Sequence, residues 1–336
     1  MPVCTSMKRE RDNMRTATSV ARSNPLVWPD VMFNIRGAWT MQQLDIFADS
    51  RDVMLRNDVA ECLQQHDTAS ARSALKALAG EYPDDDELPA LAVLVHALEA
   101  ESRVLFADHE ALAVARRVLA NEVVPAAARV LPRHAVQPWV ASLWRSLALR
   151  AAALPFSAAA EDCHAAPLWL KAGDWEAARE CVKGIESWWH LAAPLALMTE
   201  ACYRADGLDA AWPLLAELAW LAPARFVALL PVLGDASLDA LRRRFDAEFP
   251  GKGDSEDFRF FPAWLILVKP VLAGRLAEAR VRREHKPSRA TALLGEILRR
   301  EREGDQHELV GLREQLCRLH GGLFDIYMST RKVQHR

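Results

Sequence analysis

The fold is decided by the stretch AGDWEAAR at residues 172–179, because its pattern recurs along the chain at nearly constant spacing. It returns as ADGLDAAW at residues 205–212 and as AGRLAEAR at residues 273–280. Ala178 and Ala211 lie 33 residues apart, and Ala211 and Ala279 lie 68 apart, close to two such steps. A period in this range is typical of stacked helical hairpins, each too small to bury its own apolar face.

Apolar periodicity predicts that the chain is all-α. Leu208, Ala211, Leu215 and Leu218 recur at the three-and-four spacing of one helix face, and Pro223 follows as a stop. Nothing alternates with period two for long enough to predict a strand. The predicted helices cover residues 53–65, 68–79, 88–106, 110–119, 138–152, 156–171, 175–185, 195–203, 208–221, 263–272, 276–284, 288–303 and 306–327.

The hairpins share a small residue in the second helix and, in two units, leucines and a proline behind it. The small residues are Ala71, Ala178, Ala211 and Ala279, followed by Leu75, Leu78 and Pro83 in the first unit and by Leu215, Leu218 and Pro223 in the third. This pattern resembles the tetratricopeptide repeat, which pairs two helices over about 34 residues. A small side chain allows the two helices to approach where they cross.

The resemblance implies an α-solenoid, a right-handed superhelix of antiparallel hairpins, over residues 31–330, with the C-terminal helices at 288–328 as a cap. The register cannot be followed between Leu88 and Glu161. The chain also departs from the family where a first-helix glycine is replaced by Asp58, Ala166, Thr199 and Leu267, and where the closing proline is replaced by His190 and Thr291.

The N-terminus differs in composition from the rest of the chain. Ser, Thr, Arg and Met dominate it, and Pro25 and Pro29 follow. We therefore predict a disordered arm over residues 1–30. The alternative is a start assigned too early, since Met32 or Met41 would also begin a sensible protein.

The resemblance also implies a concave face, lined by the first helices, that grips a peptide. The groove positions of the family fall on Arg56, Lys171, Glu200, Tyr203 and Arg204. The competing interpretation is that these are ordinary solvated helix residues, since exposed charges are common on helices.

A second candidate binding motif is Gln43-Leu44-Asp45-Ile46-Phe47. It resembles the short motif by which bacterial replication and repair proteins dock on the sliding clamp. In that motif the glutamine makes polar contacts, and an aliphatic residue and the terminal phenylalanine fill an apolar pocket. The alternative is that Leu44 and Phe47 staple the first helix.

Composition and motifs argue against several classes of function. The 336 residues carry a formal charge of −3, so net charge gives no case for nucleic acid or an anionic membrane. No apolar run approaches the roughly 18 residues that a membrane span needs. The six cysteines include no C-x-x-C pair, which suits free thiols in the cytoplasm. Asp162-Cys163-His164 places possible metal ligands in consecutive positions that point apart on a helix.

Tryptophans and basic clusters remain as candidates for contact with a partner. Eight tryptophans lie between Trp139 and Trp220, and we expect most of them to fill the core of an alanine-rich fold. Trp188-Trp189 is the exception, because adjacent residues cannot both face one core. Two basic clusters are candidates for nucleic acid or for solvated, ion-paired faces: Arg242, Arg243 and Arg244, and Arg280, Arg282, Arg283, Lys286 and Arg289.

The sequence therefore predicts a non-enzymatic cytoplasmic scaffold or adaptor that binds another protein or peptide in a solenoid groove, without a cofactor or a membrane. One alternative is a nucleic-acid-associated regulator that uses the C-terminal basic helices. Another is a clamp-associated protein that docks through Gln43–Phe47. An enzyme also stays open, because a site can assemble from residues that are distant in sequence.

Overall fold

A computed structural model describes residues 51–101, 104–280, 285–304 and 307–334. Within these residues the secondary structure is entirely helical and contains no strand, which confirms the predicted all-α class. The predicted arm at residues 1–30 lies outside the described residues.

The helices are numbered in chain order. They are α1 (Arg51–Gln64), α2 (Thr68–Glu81), α3 (Leu88–Glu99), α4 (His109–Val118), α5 (Val124–Val130), α6 (Arg133–Arg150), α7 (Ala165–Ala172), α8 (Trp175–Lys183), α9 (Ala192–Asp206), α10 (Leu208–Leu221), α11 (Pro223–Leu233), α12 (Ala236–Glu248), α13 (Phe261–Val268), α14 (Ala273–Ala277), α15 (Lys286–Glu303), α16 (Leu309–Leu319) and α17 (Gly321–Gln334). A π-helical turn, Leu119–Val123, joins α4 to α5, and 3-10 turns occupy Trp188–His190, Ser255–Phe260 and Pro270–Leu272.

Three tight hairpins, α1–α2, α7–α8 and α9–α10, each have a residue with positive φ in the turn: His66 at 57°, Gly173 at 79° and Gly207 at 84°. Their ψ angles differ, since Gly173 is left-handed helical with ψ of 11° whereas Gly207 has ψ of −177°. Glycine adopts either conformation without a steric penalty, which explains the Gly in the first two copies of the sequence signature. Asp67 then begins α2 by accepting a hydrogen bond from the N–H of Ser70.

The predicted crossing residues are buried where the helices of each hairpin pack. Ala71, Ala178 and Ala211 have no solvent exposure, and Ala279 retains only 5%. Ala279, however, follows the short α14 instead of lying within the predicted helix at 276–284. The backbone N–H of Arg280 donates to the Glu217 carboxylate at 2.8 Å, so it is not used to continue the helix.

The predicted helices at 156–171 and 306–327 are among those that are wrong in extent, and in both a histidine caps the start of an observed helix. The predicted helix at 156–171 begins only at Ala165, because His164 Nδ1 accepts the N–H of Ala166 and the preceding residues form turns. The predicted helix at 306–327 is two helices, since His320 Nδ1 accepts the N–H of Leu323 and α17 begins at Gly321. A side chain that caps a helix start satisfies donors that the helix leaves unpaired.

Apolar side chains form two large clusters along the chain. The first runs from Val59 to Ala172 and the second from Leu195 to Tyr327. Between them lie two small clusters, Ala166 with Val182 and Met198, and Leu170 with Ala178 and Ala201. Of the eight tryptophans between Trp139 and Trp220, four are buried: Trp139, Trp144, Trp212 and Trp220. Three more are partly buried against the clusters, as predicted for most of the eight: Trp169, Trp175 and Trp188.

Among the described residues, no single helix is both long and apolar enough to cross a membrane. Ser255–Val268 and Pro270–Ala277 would suffice together by length and composition, but the chain bends by 110° between them. The apolar residues Phe261, Trp264 and Leu265 belong to the second core cluster.

The crossing alanines lead to a direct test of packing. We expect Ala211→Leu to lower the free energy of unfolding by about 1–3 kcal/mol, because the added atoms have no room between α9 and α10. Ala205→Leu makes the same change at an exposed position of α9 and is expected to stay within about 0.5 kcal/mol of wild type. Urea unfolding followed by circular dichroism measures both, and equal losses would contradict the close crossing.

Candidate functional site

The strongest candidate for a binding surface lies between the two large cores, in the 3-10 turn Trp188–His190. Trp188 is half-buried and packs against the second core and one of the small clusters, whereas Trp189 keeps 36% exposure. Their rings meet edge to face, with centroids 5.9 Å apart. The two tryptophans therefore have different roles, as their adjacency predicts: one anchors the turn and the other lies at the surface.

Arg280 completes this surface from a distant part of the chain. Its guanidinium carbon lies 4.8 Å from the ring centroid of Trp188 and 5.4 Å from that of Trp189. Glu217, which is only 8% exposed, accepts the backbone N–H of Arg280 and lies 3.4 Å from its side-chain Nε. The ion pair and the two aromatic faces hold the guanidinium in place. We call Trp188, Trp189 and Arg280 the tryptophan–arginine surface.

The backbone before this surface is strained. Ser187 has φ of 52°, a left-handed conformation that costs a residue with a Cβ roughly 1–2 kcal/mol. Hydrogen bonds from His190 N–H to the Ser187 carbonyl, at 2.8 Å, and from Trp188 N–H to the Ile185 carbonyl, at 3.2 Å, keep the turn closed. Backbone strain of this kind is concentrated at binding and catalytic sites, so it draws attention to this turn.

Arg56, the first predicted groove residue, joins α1 to the loop before α3. It is half-buried on α1, and its Nε lies 2.8 Å from the carboxylate of Asp85 in the loop before α3. It also pairs with Asp52 one turn earlier in the same helix. The Arg56 side chain is thus engaged within the protein.

Lys171, the second predicted groove residue, is exposed at the end of α7. Its ammonium lies 4.5 Å from the ring centroid of Trp144 in α6. Partial desolvation, followed by repulsion from Arg116, lowers the pKa of Lys171. Lys171 thus contacts α6, whereas Arg56 contacts the loop before α3.

Glu200, Tyr203 and Arg204 lie together on α9 as predicted. The Tyr203 hydroxyl donates to the Asp235 carboxylate at 3.1 Å, and Arg204 donates to the Val232 carbonyl at 2.6 Å. Glu200 lies 3.8 Å from Arg204. Two of these three side chains therefore tie α9 to the turn between α11 and α12. Whether any of the five predicted residues also contacts a partner stays a prediction.

The remaining sequence candidates are only partly visible. Gln43–Phe47 lies outside the described residues, as do Arg282 and Arg283. Arg244 pairs with Glu248 at 2.7 Å. Glutamates pair with many arginines of the C-terminal helices: Arg299, Arg300, Arg313, Arg318 and Arg331. Internal pairing of this kind is typical of a solvated face and does not favour phosphate binding.

Within the described part of the chain, no group of three or more His, Cys, Asp or Glu side chains could hold a metal ion. The side chains of the predicted triplet Asp162-Cys163-His164 lie in different environments, since Asp162 is exposed and the other two are buried. His164 lines a cavity and is considered below.

No family model, no curated protein and no solved structure matches this chain. The likeness to the tetratricopeptide repeat therefore remains a resemblance of the hairpins, and function has to be argued from the residues.

Sequence reasoning singled out the tryptophan pair but missed its arginine partner. In the sequence Arg280 belongs to a basic cluster, and nothing links it to Trp188 or Trp189. Glu217 is the available signal, because it is the one acid beyond the first turn of the apolar helix α10. A buried carboxylate needs hydrogen-bond or ionic partners, and so it predicts a basic residue nearby.

The pKa of Glu200 gives a test of the α9 region. Burial raises this pKa from its usual 4.5, and Arg204 only partly opposes that effect. Glu200 therefore binds a proton more tightly in the folded state than in the unfolded chain. As pH rises from about 4.5 through the raised pKa, ionisation of Glu200 lowers the free energy of unfolding. We expect Glu200→Gln to stabilise the protein relative to wild type at pH 7, with the difference fading below pH 4.5.

Urea unfolding at several pH values checks this expectation. Glu101→Gln, at an exposed position after α3, serves as the control and should show no such pH-dependent gain. A loss of stability in Glu200→Gln at pH 7 would mean that its pairing with Arg204 outweighs the cost of burial.

Proposed function

We propose that residues 51–334 form a degenerate α-solenoid, similar in plan to the tetratricopeptide repeat, that works as a non-enzymatic docking scaffold for another protein. Three tight hairpins with a positive-φ residue in the turn and a fully buried crossing alanine support this plan. Ion pairs and hydrogen bonds that span 27 to 32 residues also support it: Arg72–Glu99, Arg179–Asp206, Arg56–Asp85, Arg145–Asp174 and Tyr203–Asp235. Contacts at this recurring separation are expected where one repeat packs on the next.

The observation that carries the docking function is the tryptophan–arginine surface. Tryptophan and arginine are the residues most enriched in interface hot spots. Here an exposed indole lies beside a guanidinium that Glu217 holds in place. Because the guanidinium is already ordered, binding of a partner costs less side-chain conformational entropy. The strained turn at Ser187 presents Trp189 in this position.

The chemistry of the surface indicates what it would bind. An apolar or aromatic side chain of the partner would pack on the exposed ring of Trp189. A carboxylate of the partner would approach Arg280, whose side chain is 48% exposed. The proposed partner is therefore a protein segment that combines an apolar side chain with an acidic one.

A pull-down with the full chain, followed by mass spectrometry and affinity measurement on the partner recovered, tests this function. We expect Trp189→Ala to weaken the complex about tenfold or more, as is usual for a hot-spot tryptophan. Circular dichroism should be unchanged, because Trp189 lies at the surface.

Leu149→Ala removes an exposed apolar side chain elsewhere, on α6, and is the matched control. It should leave the affinity of the partner unchanged. If both variants bind the partner as wild type does, the docking surface lies elsewhere. If the intact chain retains no partner at all, the scaffold function itself is wrong.

A further inference from the structure

A cavity of about 620 Å³ lies beside the tryptophan–arginine surface but is lined by different residues. Its walls come from the loop after α6, the start of α7, the end of α8 and the loop that leads into α9. Cavities of roughly 300–1,000 Å³ are the usual size for small-molecule sites. The site therefore has room for a small organic molecule.

His164 places a polar side chain in the wall of this cavity. Its side chain is over nine-tenths buried, since the residue keeps only 7% exposure, yet it lines the cavity. Nδ1 accepts the N–H of Ala166 at 3.3 Å and caps α7. Among the described residues, the imidazole hydrogen bonds only through Nδ1, so Nε2 remains for an occupant of the cavity.

The protonation state of His164 follows from its surroundings. Burial, with a smaller contribution from His109, lowers the pKa of His164, so the ring is neutral at pH 7. Because Nδ1 acts as an acceptor, the single proton lies on Nε2. His164 thus offers the cavity one hydrogen-bond donor and no charge.

The walls around this donor combine apolar and polar surface. Leu154, Phe156, Ile185 and Leu191 contribute apolar side chains, and the Phe156 ring packs edge-on to the imidazole with centroids 5.9 Å apart. His109 Nε2 donates to the carbonyl of Pro155 at 2.9 Å and ties down the loop after α6. The cavity can therefore contact both an apolar part and a polar part of one molecule.

The charged side chains that line the cavity are both acidic. Glu180 lies 2.6 Å from Lys183, which balances its charge, and Glu186 is exposed at the opposite end of the α8–α9 loop from Leu191. Of the described residues that line the cavity, none is Lys or Arg. The charges at the site favour a cationic ligand and disfavour an anionic one.

We propose that this cavity binds a small amphipathic amine. Its apolar ring would contact Leu154, Phe156 and Ile185. An oxygen of the ligand would accept a hydrogen bond from the Nε2–H of His164, and its ammonium would face Glu186. The proposal is independent of the docking surface, because Trp189 and Arg280 do not line the cavity. A result that disproves amine binding in the cavity would therefore not disprove docking at the tryptophan–arginine surface.

Tyramine is the probe, since it combines an aromatic ring, a hydroxyl oxygen and an ammonium. We expect saturable binding to the full chain, measured by isothermal titration calorimetry and by ligand-observed NMR. Phenethylamine, which lacks the hydroxyl, should bind about 2–10-fold more weakly because the hydrogen bond to His164 is lost. 3-(4-Hydroxyphenyl)propionate, which replaces the ammonium with a carboxylate, should bind more weakly than either amine.

Two variants locate the binding, and a third controls for nonspecific effects. Glu186→Gln should weaken tyramine about 2–5-fold, the range expected of an exposed charge pair. His164→Asn keeps a side-chain oxygen that can cap α7 and should abolish the preference for tyramine over phenethylamine. Glu176→Gln neutralises another exposed carboxylate on α8 that does not line the cavity, and it should bind tyramine as wild type does.

Several results would overturn the proposal. These are the absence of saturable tyramine binding to the intact chain, equal weakening by Glu186→Gln and Glu176→Gln, or tighter binding of the propionate than of tyramine. If His164→Asn loses the helical circular dichroism of wild type, Phe156→Ala replaces it. That variant removes part of the apolar wall and should weaken both amines without changing their ratio, whereas unaltered binding would place the amine elsewhere.

Discussion

Helices of this chain approach one another at alanines that have no exposure to solvent, and the packing around them depends on that approach. At Ala71, Ala178 and Ala211 a methyl group fills the space where two helices cross. Leucines one and two turns later, such as Leu78 and Leu218, can then close the space behind the crossing. A larger residue at the crossing would separate the helices and leave these leucines without their contacts.

In the solenoid that we propose, each hairpin depends on its neighbours. A pair of helices that meet at an alanine buries one side of each helix and leaves another apolar side for the next pair to cover. The ion pair Arg179–Asp206, between α8 and α9, and the hydrogen bond Tyr203–Asp235, between α9 and the start of α12, are contacts that such stacking would produce. Most of the stability therefore resides in the two long apolar clusters and not in any single hairpin.

The region between the two large clusters has a different character. Only small clusters of buried side chains lie there, around Val182 and Ala178. Strained backbone at Ser187 and a tryptophan at the surface occur there, whereas His164 lies at the end of the first large cluster, beside Cys163 and Ala165. Segments with few buried apolar contacts have less to lose by accommodating a partner, which fits the location of the tryptophan–arginine surface.

Helices with regular apolar spacing could be predicted from the sequence, whereas helices that begin at proline could not. The helix Leu208–Leu221 is confirmed residue for residue, and the pair at 53–65 and 68–79 is confirmed within about two residues at each end. Pro223 was interpreted only as a stop, yet it is the first residue of α11. The helices Val124–Val130 and Ala236–Glu248 were missed as well, the first because its seven residues are too short to show a period.

The all-α class of the described residues and the alanines buried at the helix crossings could be predicted from the sequence, because both follow from spacing within a few turns of one helix. Which distant side chains meet could be seen only once the helices were packed together. Arg280 reaches Trp188 and Trp189 across some 90 residues of chain, and His164 faces a cavity whose other walls come from three separate segments. Such long-range contacts depend on the crossing angles of all the helix pairs that lie between the two residues. The apolar periodicity of a single helix does not specify those angles.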